Sequence, residues 1–180
     1  MKTEFNQSKL KGALVSAVLV GTASLTLPAY AGTDTSNMAV TADIGMNCTI
    51  ATTDIAFGSY DPIVANATSS LTANGTVTTT CTVGSTGVVI IGEGLDPADD
   101  SSPAEPDRRM GGPSEGEYLE YQVYSDSELA NVWTNDTETG VAYTASGSGQ
   151  VMTVYGEVAA GQTDAVEGSY SDTLVVTVNY

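Results

Sequence analysis

Histidine is absent from the 180 residues, and only 5 Lys and Arg stand against 22 Asp and Glu, a formal charge of −17. Without imidazole there is no Ser/His or Cys/His nucleophile pair and no histidine metal site. The scarcity of basic side chains excludes a nucleic-acid binder that works by neutralising phosphate. Aromatic residues are few as well, with one Trp, nine Tyr and two Phe. Enough apolar residues remain, 41% of the chain, for one modest core and one domain. No GxGxxG, Walker or nucleophile-elbow motif occurs, so the sequence names no cofactor.

Only one long apolar run exists, and it lies near the start. Lys2, Lys9 and Lys11 precede the apolar residues 13–27, and Ala29-Tyr30-Ala31 supplies the small-x-small pattern of a signal peptidase site. Residues 1–31 therefore read as a secretory signal, and the mature protein as soluble and exported. Its removal takes away all three Lys and Glu4, leaving Arg108 and Arg109 against 21 acids, a net charge of −19. Such a surface keeps the chain soluble by self-repulsion and favours basic partners.

The two cysteines, Cys48 and Cys81, both follow the signal. An even pair in an exported chain most simply forms one disulfide, with free thiols as the alternative. Two Cys without His do not make a zinc site.

Strand signals dominate the remainder. Residues 38–46, 47–51, 54–60, 71–83, 87–92, 117–124, 150–158 and 170–180 read as strands, separated by Gly, Ser, Asp, Asn and Pro. Eight short strands point to a β-sandwich. In the last run Tyr170, Asp172, Leu174, Val176, Val178 and Tyr180 share one face, a period of two. The Asn74-Gly75 pair marks a tight turn. Residues 92–117, with four prolines, both arginines and eight acids, read as a long polar loop. Asp96, Asp99, Asp100, Glu105 and Asp107 within it are candidate ligands for a hard cation, although their spacing fits no calcium loop. A second irregular stretch, 125–149, holds Trp133, expected to cap the core. No two acids are placed to converge on a substrate, so an enzyme is not expected. Glu117 and Glu120, three apart on a strand, face opposite ways.

Residues 38–46 are informative about function. Met38, Val40, Ala42, Ile44 and Met46 alternate with Ala39, Thr41, Asp43 and Gly45, and residues 32–36 offer little to anchor them. At the other end the strongest strand reaches Tyr180 with nothing after it to cover its edge, an aggregation hazard unless a strand pairs there. The amphipathic segment can cover that edge in cis, giving a self-contained sandwich. From a neighbouring copy it would instead build a head-to-tail fibre. Burying four or five apolar side chains yields on the order of 6 to 15 kcal/mol before ordering costs, enough for either arrangement.

The mature chain resembles the spore coat protein U domain family, which includes the major subunits of archaic chaperone-usher pili. The resemblance is carried by Asn47-Cys48-Thr49-Ile50, Phe57-Gly58-Ser59-Tyr60-Asp61-Pro62, residues 77–82, Arg109-Met110, residues 118–124, Val132-Trp133, Val154-Tyr155-Gly156 and residues 168–180. It departs at Thr134, where the family often has Gly, and in the acidic stretch 96–107. The resemblance implies an all-β, incomplete immunoglobulin-like sandwich completed by donor-strand exchange. Residues 32–46 would be the donor strand, with Met38, Val40, Ala42 and Ile44 inserted, and residues 47–180 the pilin domain. Leu174, Val176, Val178 and Tyr180 would form the acceptor edge and chaperone-facing strand. The implied partners are other copies of the chain, a periplasmic chaperone and an outer-membrane usher. The implied destination is a surface pilus serving adhesion or biofilm formation. The competing reading is a self-complemented secreted module that binds carbohydrate or a surface through Tyr118, Tyr124 or Trp133.

Overall fold

The computed structural model describes residues 31–180; residues 1–30 of the expected signal lie outside that range. The chain divides at Thr41 into two units. In the first, residues 31–41 form no regular element, and Met38 and Val40 are 87% and 89% exposed.

The second unit, Ala42–Tyr180, is all-β among its described residues. Its strands are β1 (Cys48–Thr53), β2 (Leu71–Cys81), β3 (Thr86–Ile91), β4 (Arg108–Gly111), β5 (Tyr118–Tyr124), β6 (Val141–Thr144), β7 (Gln150–Val158) and β8 (Val176–Asn179). They make two antiparallel sheets, ordered β1-β2-β7-β5-β4 and β6-β3-β8.

Period-two burial explains why these segments pair as they do. On β5, Leu119, Tyr121 and Val123 are buried while Glu120 is exposed; on β7, Val154 and Val158 turn inward. Facing them from the smaller sheet are Val89 and Ile91 of β3 and Tyr143 of β6, so one core lies between the sheets. Trp133 closes one side, only 1% exposed, donating its Nε1–H to the Val89 carbonyl at 2.9 Å. Cys48 and Cys81 are Cα partners across β1 and β2, and they are joined by a disulfide.

Several local expectations change. Residues 38–46 carry strand periodicity but belong to no ladder, because alternation alone supplies no hydrogen-bond partner. Residues 54–60 likewise form an unpaired strap, with Ile55 and Phe57 packed on the core. Asn74-Gly75 is no turn: β2 runs straight through it, with Asn74 opposite Tyr155 and Gly75 opposite Val154. The glycine is required because a Cβ there would stand 2.7 Å from the Thr53 carbonyl oxygen and 2.8 Å from Ile55 Cγ1. The run 170–180 is divided between the sheets. Ser171 bridges to Gly111 of β4, and only Val176–Asn179 pairs with β3. β4 and β6 lie in the two stretches that read as irregular.

Candidate functional site

Each sheet ends on a terminal stretch of the domain. β1 is the last strand of the larger sheet and β8 the last of the smaller, and among the described residues neither has a strand partner on its outer side. Near these margins the sandwich opens into a groove of about 1260 Å³. Its floor is the core itself: Val77, Ile91, Leu119, Tyr121, Val154 and Val158. One wall is the strap after β1, with Ile55 and Phe57; the other is the lead-in to β8, with Tyr170, Leu174 and Val176.

The walls are held by defined bonds. Tyr60 donates its hydroxyl proton to the Ala159 carbonyl at 2.7 Å, and Phe57 meets Tyr121 edge-on at 6.2 Å between ring centroids. On the opposite side Tyr121 donates to Asp172 Oδ2 at 2.6 Å, while Asp172 Oδ1 accepts from the backbone N–H of Leu95 at 2.8 Å and Thr173 at 2.7 Å. Burial first, then the Asp172 hydrogen bond and charge, push the Tyr121 hydroxyl far above its ordinary pKa. A Cβ on Gly94, whose φ is +95°, would overlap the Asp172 carboxylate, so the loop approaches this closely only with glycine.

Chemically the groove suits a strand better than a small solute. Ligand pockets hold about 300 to 1,000 Å³ and place a few convergent polar groups in an apolar lining. Here the volume is larger, the floor is aliphatic and aromatic, and the walls are segments that lie largely outside both sheets' ladders. Apolar side chains at alternate positions and a backbone ladder are what such a surface can accept.

The Spore Coat Protein U domain model matches residues 34–177. The chain belongs to the Spore Coat Protein U domain family. Protein U of Myxococcus xanthus is 36% identical over 178 residues, covering 93% of this chain and 99% of that protein. The fold is shared with a crystal structure of the CsuC–CsuE chaperone–tip adhesion subunit pre-assembly complex from archaic chaperone-usher Csu pili of Acinetobacter baumannii. The TM-score is 0.53 at 17% identity, and the match covers 76% of this chain and 40% of that one. The immunoglobulin-like β-sandwich is thereby established.

Within this Spore Coat Protein U domain, Leu174 and Val176 lie on the groove wall. Val178 is opposite Val89 and packs on the core outside the groove lining, and Tyr180, past the end of β8, is 53% exposed. Met38, Val40, Ala42 and Ile44 are all exposed. The binding-module reading loses its Trp, since Trp133 is buried. Tyr118 lies under the Arg109 guanidinium, 4.1 Å from ring centroid to Cζ. Tyr124 donates to Glu157 at 3.1 Å; burial and that bond push its hydroxyl up to about 12. The acids of 96–107 do not converge: among the described residues no three metal-ligating side chains come together.

Sequence reasoning missed Arg108. It is fully buried and donates to the carbonyls of Gly92 at 2.8 Å, Ile91 at 2.7 Å and Trp133 at 2.8 Å, and to Gln122 Oε1. Burial lowers its pKa to about 10 against the opposing pull of Tyr121, Glu93 and Asp172. The hub joins β3, β4, β5 and the Trp133 loop behind the groove floor. Its only sequence signal is the rarity of a basic residue.

Proposed function

We propose that this chain is the structural subunit of a chaperone-usher type surface pilus. Residues 32–46 of one copy act as donor strand in the groove of the next, and the fibre serves adhesion or biofilm formation. The observation that carries this reading is the groove floored by core side chains between the strap after β1 and the lead-in to β8. The donor is favoured by its own alternation: Met38, Val40 and Ile44 are 87 to 89% exposed although they are apolar. Patches of that kind mark interaction segments.

On this reading a periplasmic chaperone covers the groove and the β8 margin until an outer-membrane usher exchanges it for the incoming donor. The signal at 1–31 delivers the chain to the periplasm, and the pilus stands outside the cell.

The test is assembly of the mature chain, residues 32–180. The wild type is expected to form filaments in electron micrographs and a ladder of heat-sensitive multimers. Val40→Asp with Ile44→Asp should abolish both, and a synthetic peptide of residues 36–46 should raise the thermal midpoint of the variant. Wild-type chain that stays monomeric at high concentration, or a variant that assembles like the wild type, would contradict the proposal.

A further inference from the structure

Both arginines of the mature chain are committed inside the subunit. Arg108 is fully buried in its cage of oxygens. Arg109 donates to the carbonyls of Asp96 at 3.1 Å and Pro97 at 2.6 Å and covers the Tyr118 ring. With Lys2, Lys9 and Lys11 in the expected signal, residues 32–180 contain no further basic side chain to set against their 21 acids.

The two surfaces that the proposed assembly brings together are charged alike. The groove lining includes Asp54, Asp61, Glu167 and Asp172 and no Arg or Lys. The donor segment carries Asp34 and Asp43. Insertion therefore gains apolar burial and ladder hydrogen bonds but gathers six carboxylates, offset only by the attraction of buried Arg108 to Asp172 and by the α-ammonium expected at Gly32. A −19 body also repels each approaching −19 body.

We propose that donor insertion between copies of this chain is gated by ionic strength, slow in dilute salt and fast where counterions screen the carboxylates. The inference rests on the donor-groove reading above. Screening acts over the relevant distances. The Debye length falls from about 30 Å at 0.01 M to about 10 Å at 0.1 M and about 3 Å at 1 M. At the first value neighbouring subunits feel one another's whole charge. At the last, only groups in contact do.

The experiment follows association of a fluorescent peptide of residues 32–46 with the mature chain in NaCl from about 0.01 to about 0.5 M. The wild-type peptide should associate roughly tenfold faster at the high end, and a peptide with Asp34→Asn and Asp43→Asn should change no more than about twofold. That uncharged control carries the same apolar residues, so salting-out is common to both. On the acceptor side, Asp54→Asn with Glu167→Gln, two exposed positions, should also flatten the wild-type response. Identical salt responses from the two peptides, or a wild-type rate that falls with salt, would overturn the gating while leaving the donor-groove reading intact. Failure of both peptides to bind at any salt would overturn that reading, and the gating with it.

Discussion

Tyr121 and Asp172 fasten the floor of the groove to its rim. The hydroxyl of Tyr121 on β5 donates at 2.6 Å to a carboxylate that stands where the chain passes from one sheet to the other. Because Asp172 also accepts two backbone N–H groups, the lead-in to β8 keeps its course beside the groove without belonging to either sheet's regular ladder.

Tyr121→Phe should cost about 1.5 to 3 kcal/mol in chemical denaturation, the range for a hydrogen bond to a charged acceptor. The pH dependence has a definite sign. The folded chain holds the phenol proton where the unfolded chain releases it, near pH 10. Its contribution is thus complete below about pH 10 and is lost as pH rises above that value. Arg108, lowered to about 10, acts with the opposite sign, and Tyr121 is one of the groups that pull on it. The comparison is therefore a difference: wild type minus Tyr121→Phe should shrink between pH 9 and pH 11, roughly the span around the unfolded phenol's titration. A constant difference would refute the assignment.

Cys48→Ala with Cys81→Ala should lower stability by roughly 3 to 4 kcal/mol on the chain-entropy account, since the bond closes residues 33 apart in sequence. Urea unfolding with and without reductant measures it. A loss below about 1 kcal/mol would mean that the unfolded chain is already restricted between residues 48 and 81 without the bond.

Arg108→Lys should behave almost as badly as Arg108→Met. A single ammonium cannot reach four acceptors on β3, β5 and the Trp133 loop, and each buried oxygen left alone costs about 1 to 3 kcal/mol. The expected readout is loss of Trp133 fluorescence shielding together with a thermal midpoint lower by ten degrees or more, roughly what several kcal/mol imply for a domain of this size. Full retention of both by the Lys variant would show that charge alone suffices.

Much of this fold was legible in the sequence wherever period-two apolar alternation coincided with a ladder, as at Leu119-Tyr121-Val123. It was less legible where alternation had no partner. Residues 38–46 and 54–60 share the pattern but stand outside both sheets, because pairing is decided by neighbours distant in sequence. Arg108–Gly111 fails in the opposite way: a polar tetrapeptide pairs with β5 because its first guanidinium has carbonyls waiting beneath it. Asn74-Gly75 has the chemistry of a hairpin turn, yet its glycine serves the strap crossing over Thr53 and Ile55. Of the groove lining, Leu174 and Val176 fall in the final run whose alternation is visible in the sequence. The floor came from four different strands and was hidden until the sheets were assembled.

Cross-linking tests most directly whether the chain lends its β-segment to a neighbour. Mature chain carrying a benzophenone at position 40 is mixed with isotope-labelled chain, irradiated and digested, and the joined peptides are read by mass spectrometry. Adducts between differently labelled chains, mapping to residues 54–62 and 165–176, are the expected result. Adducts confined to one label, or scattered over the outer faces of the sheets, would contradict it.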